Sequence, residues 1–172
     1  MSPKPVKEYD MRLFLKQTLV KEIMSTPVVT LEKDAQFSEV EEKFVDYEIR
    51  HLPVVDSEGK LAGIITKRDL YRTLAPRKAI DGNVDYVKDK IIEKDTEVFY
   101  FKEMLDSFIL EKIMIRNVAT LKEDNSVAEV IHLMVEKKIG SVVIVDKYKK
   151  IIGIVTRYDI LMLANKVVKG NF

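Results

Sequence analysis

Two four-residue stretches carry the groups best suited to chemistry. Thr66-Lys67-Arg68-Asp69 follows an apolar run, Leu61–Ile65, and Thr156-Arg157-Tyr158-Asp159 follows another, Ile151–Val155. Each apolar run is broken by a glycine, Gly63 and Gly153, and each Thr-x-x-Asp leads into an apolar helical pattern. A Thr followed three residues later by an acid is the pattern of a capping box, worth about 1 kcal/mol. The same geometry serves binding. A helix start after a strand presents unpaired N–H groups and positive potential, which suit a phosphate. Lys67, Arg68 and Arg157 add positive charge in those first turns. An acid there can accept hydrogen bonds from vicinal ribose hydroxyls. From the motif alone, cap and site are both open.

These residues must be held by flanking elements, and the flanks repeat. Ninety residues separate Ile23-Met24 from Ile113-Met114, Asp34 from Asp124, Val40 from Val130, Val55-Asp56 from Val145-Asp146, and Thr66/Asp69 from Thr156/Asp159. No gap is needed. The pattern predicts a duplicated unit of helix, strand, helix, strand, strand, helix. In the first copy, Glu8–Leu19 reads as a helix with Met11, Phe14, Leu15 and Leu19 on one face. Pro27 forces an extended segment before a short strand, Val28–Leu31. Asp34–Glu48 reads as a helix burying Phe37, Val40, Phe44 and Val45. His51–Asp56 and Leu61–Ile65 read as strands joined by a tight turn, and a last helix runs to about Leu74. In the second copy Phe14-Leu15 aligns with Met104-Leu105 and Tyr9 with Phe99, so Phe99, Tyr100, Phe101 and Phe108 read as helix core. Between the copies, Asp85–Lys94 has the spacing of an amphipathic helix, with Tyr86, Val87, Ile91 and Ile92.

Composition sets limits. The 172 residues carry 29 basic and 28 acidic side chains, a net charge of +1, which argues against nucleic-acid binding driven by bulk charge. There is no Cys, so disulfides, thiol nucleophiles and thiolate metal sites are excluded. No apolar run approaches the ~20 residues that span a bilayer, and no signal-peptide apolar segment is seen at the start, so a cytoplasmic setting is expected. The two histidines, His51 and His132, lack i,i+4 His/Glu partners of zincin type, so no metal site is expected. No Ser-His-Asp arrangement is visible, and Ser141 reads as a packing or ligand residue. Lys147–Lys150 reads as a solvated hairpin turn. No catalytic residue is assigned.

Three motifs together resemble a cystathionine-β-synthase (CBS) domain: Ile-Met-x-x-x-Val-x-Thr-Leu, Arg50-His-Leu-Pro-Val-Val-Asp56 and Gly63-Ile-Ile-Thr-Lys-Arg-Asp-Leu70. Ile139-Gly-Ser-Val-Val-Ile-Val-Asp146 with Gly153-Ile-Val-Thr-Arg-Tyr-Asp-Ile160 resembles the second member of a CBS pair. The implied fold is α/β (α+β), with tandem CBS domains at 8–74 and 98–168, a connection at 75–97, and sheets packed with pseudo-twofold symmetry around two clefts. The implied function is regulatory binding of AMP, ADP, ATP or S-adenosylmethionine, read by a partner protein, without catalysis. By the resemblance, Asp69 and Asp159 hold ribose hydroxyls and Thr66 and Thr156 contact ribose or phosphate. Lys67, Arg68 and Arg157 lie near the phosphates. The base pocket is lined by Thr26, Pro27 and Val28, by Arg116, Asn117 and Val118, by His51, Leu52 and Pro53, and by Gly140, Ser141 and Val142. Asn117 stands where the family often has Pro. CBS pairs commonly dimerise through helices, which makes Phe14/Leu15, Met104/Leu105 and Ile160–Val168 candidate contacts. A pure interaction module with empty clefts is the alternative, and nucleic acid a minor one.

Overall fold

The computed structural model describes residues 10–74, 91–94, 97–100 and 102–170. In chain order the elements are α1 (Met11–Gln17), β1 (Leu31–Glu32), α2 (Phe37–Asp46), β2 (His51–Val55), β3 (Leu61–Thr66) and α3 (Lys67–Leu74). They continue with β4 (Ile91–Lys94), β5 (Glu97–Tyr100), α4 (Lys102–Leu105), α5 (Leu110–Ile113), β6 (Thr120–Leu121), α6 (Val127–Lys137), β7 (Ser141–Val145), β8 (Ile151–Thr156) and α7 (Arg157–Lys169). The architecture is mixed α/β, and the two copies share one sheet plan. In each, a short strand pairs parallel with the middle strand, which pairs antiparallel with the third: β1-β2-β3 and β6-β7-β8.

The repeated Asp of Val-Val-Asp has a local task. Asp56 Oδ1 accepts from the Glu58 and Lys60 N–H groups, at 2.9 Å each, closing the β2–β3 turn. Asp146 does the same for Tyr148 at 2.8 Å and Lys150 at 2.9 Å. The turn needs one left-handed residue: Gly59 at φ 73° in the first copy, Lys149 at φ 64° in the second. Those backbone N–H groups, that of Lys60 foremost, hold the Asp56 carboxyl below the usual carboxylate range.

The chain divides into two compact units that cut across the repeat. One runs from Val29 to Val118; the other combines the chain up to Val28 with Ala119 onward. So the leading segment of each repeat packs on the sheet of the other. In the Val29–Val118 unit, Leu105, Leu110 and Met114 join a core with Phe37, Val40, Phe44, Leu52, Val54, Ile65 and Leu70. In the other, Val20, Ile23 and Met24 join Val130, Met134, Val142, Ile144 and Val155. Backbone bonds pin α1's exit to α6's start: Val20 N–H to Asn125 O at 2.8 Å and Val127 N–H to Thr18 O at 2.9 Å. Full burial of a Phe or Leu side chain stabilises by roughly 1.5–3 kcal/mol.

Two close approaches explain the repeated glycines. A Cβ at Gly63 would lie 2.6 Å from Met114 Sδ and 3.2 Å from Ile115 O. A Cβ at Gly153 would overlap Met24 Sδ and Cγ. The Met of each Ile-Met motif thus rests on the Gly of the other repeat's Gly-Ile motif. Backbone bridges follow at the next residue. Ser25 N–H donates to Ile154 O at 2.9 Å and Ile154 N–H to Ser25 O at 3.2 Å. Ile115 N–H donates to Ile64 O at 2.8 Å and Ile64 N–H to Ile115 O at 3.0 Å.

Four expectations are corrected. Ile91–Lys94 is a strand, paired antiparallel with Glu97–Tyr100, and not the end of an amphipathic helix; β-branched Ile91, Ile92 and Val98 with aromatic Phe99 and Tyr100 favour extended backbone. Residues 85–90, with Tyr86 and Val87, lie outside the described residues. Phe99 and Tyr100 therefore belong to β5, Phe101 lies outside the described residues, and the second leading helix shrinks to α4 and α5. Phe108 does pack inward, its ring 5.6 Å from that of Phe37. Val45 is 62% exposed, because the buried side of α2 is made by Phe37, Ser38, Val40 and Phe44. Finally, α1 starts at Met11, where Asp10 Oδ1 caps the Leu13 N–H at 3.1 Å, and Met11 itself is exposed.

Gly153→Ala is expected to destabilise by about 1–3 kcal/mol through overpacking. In a Met24→Ala background the same change should cost less by about 1 kcal/mol. Urea denaturation of the four proteins of this cycle checks the coupling; equal costs in both backgrounds would contradict the contact.

Candidate functional site

Each Thr-x-x-Asp sits where a strand hands over to a helix. Thr66 ends β3 and Thr156 ends β8. Asp69 Oδ2 accepts from Thr66 N–H at 2.9 Å and from Thr66 Oγ1 at 2.6 Å, and the Asp69 N–H returns to Thr66 Oγ1 at 3.3 Å. Asp159 Oδ2 accepts from Thr156 N–H at 2.6 Å and Oγ1 at 2.7 Å. The cap is therefore real in both copies, and it fixes a half-buried carboxylate at the positive end of a helix. The first helical N–H is also fixed alike: Lys67 to Arg50 O and Arg157 to Gly140 O, each at 3.1 Å.

The strand register brings His51 opposite Thr66 and Ser141 opposite Thr156. Pro53 and Ser141 are buried, while Leu52 and Val142 are fully buried members of the two cores, leaving their backbones for any ligand. The crossing of leading segments assigns the other candidates. Arg116, Asn117 and Val118 follow the Ile115–Ile64 bridge and belong with Thr66–Asp69; Thr26, Pro27 and Val28 follow the Ser25–Ile154 bridge and belong with Thr156–Asp159. The Thr26–Pro27 peptide is cis. Arg116 is turned back on α5, its Nη2 lying 3.2 Å from Glu111 Oε1 and 3.3 Å from Glu111 O.

The two junctions differ in detail. Asp159 Oδ1 accepts from Ser25 Oγ at 3.2 Å. The position matching Ser25 in the other repeat is Ile115, which has no hydroxyl, and Asp69 Oδ1 carries no hydrogen bond among the described residues. Beside α3 lies an open hollow of about 560 Å³ lined by Arg50, Lys67, Arg68, Tyr71 and Arg72. The Lys67 ammonium stands 6.0 Å from the Tyr71 ring centroid. Glu41 on α2 is near enough to feel Lys67. Burial, most of all, and Glu42 push its carboxyl above the usual carboxylate range, and Lys67 opposes them.

Ser25, Arg50, Tyr71 and Arg72 were not among the residues expected from sequence. The i,i+4 spacing of Lys67/Tyr71 and Arg68/Arg72 on one helix was the available signal for two of them, Tyr71 and Arg72. Ser25 was visible only through the crossing. One histidine reading needs correction: His132 does have an i,i+4 partner, Glu136, at 3.7 Å on the exposed face of α6. Among the described residues no group of three or more His, Asp or Glu is placed to hold a metal. Among them too, no helix is long and apolar enough to cross a membrane.

A duplicated strand–cap–helix unit with crossed leading segments defines a tandem α/β module. Comparison with known proteins gives its family. The CBS domain model matches residues 20–76 and 110–166, and the chain belongs to the CBS domain family. It is 34% identical over 146 residues to the L-aspartate semialdehyde sulfurtransferase of Methanocaldococcus jannaschii. That match takes in 85% of this chain and 23% of the enzyme, so the chain spans about a quarter of that relative's length. A CBS domain-containing protein of Dictyostelium discoideum is 30% identical over 153 residues, covering 89% of this chain and 95% of that one. Among solved structures, the CBS domain pair of protein MJ0100, in complex with 5-methylthioadenosine and S-adenosyl-L-methionine, superposes with a TM-score of 0.65 at 33% identity. It covers 86% of this chain and 96% of that one.

Glu41 gives a pH prediction. Its folded-state pKa lies above the unfolded one, so its effect favours folding at low pH and is lost as pH rises through the folded value. Glu41→Gln is expected to raise the denaturation midpoint at neutral pH, with the gain fading below about pH 4, where the free carboxyl is itself protonated. Denaturant midpoints across pH check this; a gain that grows on acidification would contradict it.

Proposed function

We propose that the chain is a regulatory module that binds an adenosine-containing ligand at its Thr-x-x-Asp junctions and has no catalysis of its own. AMP, ADP, ATP and S-adenosylmethionine are the candidate ligands. The observation that carries the reading is the doubled cap. In each copy the Thr–Asp hydrogen bonds hold a carboxylate ready for ribose hydroxyls beside a helix start. Preorganisation of this kind lowers the ordering cost of binding. The complex of the MJ0100 pair with two adenosine derivatives supports the same ligand class. Asp69 with Thr66, Lys67, Arg68, His51, Pro53, Asn117 and Val118 forms one site, and Asp159 with Thr156, Arg157, Ser141, Thr26, Pro27 and Val28 the other. Ligand would act by shifting the population of conformations that an effector protein reads, in a cytoplasmic setting.

Calorimetry with AMP, ATP and S-adenosylmethionine tests this on wild type, Asp69→Ala and Asp159→Ala. At least one ligand is expected to bind. Each variant should weaken its own site by about tenfold or more, the size of a lost hydrogen bond to a charged group. No heat with any of the three, or both variants binding like wild type, would contradict the reading.

A second reading rests on the outer face of α7, where Tyr158, Leu161, Met162 and Val168 are exposed, from 41% at Met162 to 85% at Val168. Such a face favours self-association, with the chain serving as a homodimeric interaction module. Light scattering should then report a dimer at micromolar concentration, reduced to monomer by Leu161→Glu. A monomeric wild type would exclude this reading.

A further inference from the structure

We propose that the two sites of this chain select ligands of different charge: the Thr66–Asp69 site takes an adenosine ligand with a phosphate chain, and the Thr156–Asp159 site takes one without. This rests on the adenosine reading above and specifies the ligand class of each site.

The observations lie in the comparison of the two copies. The hollow beside α3 gathers four cationic side chains, Arg50, Lys67, Arg68 and Arg72, with Tyr71 among them and no carboxylate among the described residues of its lining. Lys67 and Arg68 are the two residues immediately after the capping Thr66, so the hollow and the junction that holds Asp69 share the first turn of α3. Three of its arginines are exposed, with their guanidinium groups available to a ligand, whereas Arg116, the other arginine of this site, is tied to Glu111. Its volume of about 560 Å³ falls in the range of small-molecule pockets, roughly 300–1,000 Å³. The chain as a whole has a net charge of only +1, so this concentration of charge is local.

The matching positions ninety residues on are Gly140, Arg157, Tyr158, Leu161 and Met162. Four cations become one, and the outer turn of the helix becomes apolar, with Leu161 66% exposed and Met162 41% exposed. Three or four phosphate charges placed there would find a single counter-charge. A thioether, a sulfonium or a bare hydroxymethyl group meets no such deficit. The carboxylates differ in the same sense. Asp159 is steadied by Ser25 as well as Thr156, while among the described residues Asp69 is held by Thr66. Arginine pairs bidentately with phosphate oxygens, so three of them make charge, and not shape, the deciding term at the first site.

The test measures binding of adenosine, 5-methylthioadenosine, AMP, ATP and inorganic triphosphate by calorimetry. Wild type, Asp69→Ala, Asp159→Ala and the double variant Arg68→Gln/Arg72→Gln are compared at two salt concentrations. ATP is expected to bind more tightly than adenosine, to weaken as salt rises, and to be lost in Asp69→Ala but kept in Asp159→Ala. 5-Methylthioadenosine should show the reverse dependence on the two aspartates and little response to salt. In the double variant the ATP-to-adenosine affinity ratio should narrow by about tenfold or more, as for one lost charge-assisted hydrogen bond. Adenosine and 5-methylthioadenosine binding with no added affinity for phosphates would overturn this proposal and leave the adenosine reading standing. No binding of any adenosine compound would overturn both. Triphosphate binding as tightly as ATP, or a single-stranded RNA binding more tightly than ATP with the same loss in the double variant, would also overturn it. The first separates anion capture from the ribose carboxylate, and the second makes the hollow part of a polymer surface.

Discussion

Everything about the two junctions depends on a thioether lying flat against a bare backbone. Met114 covers Gly63 and Met24 covers Gly153, at a range that leaves no room for a Cβ. That approach lets the next residue, Ile115 or Ser25, form a two-bond bridge to the strand. The bridge in turn sets where the following three residues run, and these are the leading-segment candidates assigned to each site. Methionine suits the role because an unbranched, polarizable chain can settle onto an irregular surface. The consequence is a trade between halves: each repeat lends its leading segment to the other and receives one in return.

Much of the frame was legible in the sequence, for identifiable reasons. Strands β2, β3, β7 and β8 carry short apolar, β-branched runs, and the turns between them are marked by Asp56-Ser-Glu-Gly59 and its copy. The helices α2, α3, α6 and α7 announce themselves through period and caps. The Thr–Asp reciprocal bond could be drawn from spacing alone, because a three-residue separation at a helix start allows little else. The crossing was not legible. Nothing local in Lys21-Glu-Ile-Met24 says whether it packs on its own repeat or on the other; the partner is decided by tertiary packing. The strand at Ile91–Lys94 was misread for a related reason. An isoleucine pair flanked by charged residues fits a helical face as readily as a two-stranded ribbon, and only the pairing partner separates the two. Ser25 was missed because it acts beside a motif and not within it, and Arg50 because it opens its motif just ahead of the strand that carries the other candidates.

The distinction between cap and site dissolves in the structure. The same two hydrogen bonds that terminate β3 and begin α3 also fix the carboxylate that a ribose would meet. In the proposed reading, stability and recognition draw on one set of contacts, and the Thr–Asp bonds hold the junction. What distinguishes the two copies is then carried by side chains outside the shared motif. Arginines on the outer face of α3 stand where α7 has Tyr158, Leu161 and Met162. Duplication has kept the frame and let the charge diverge.

The central claim is that each site joins one repeat's strand–helix junction to the other repeat's leading segment. Amide hydrogen exchange of the wild-type protein, resolved by residue, tests it most directly. The Ser25 amide should be protected together with that of Ile154, and the Ile115 amide together with that of Ile64, all four at rates like those of the central strands. Ser25 and Ile115 exchanging at the rate of an open chain, while β3 and β8 stay protected, would contradict the account.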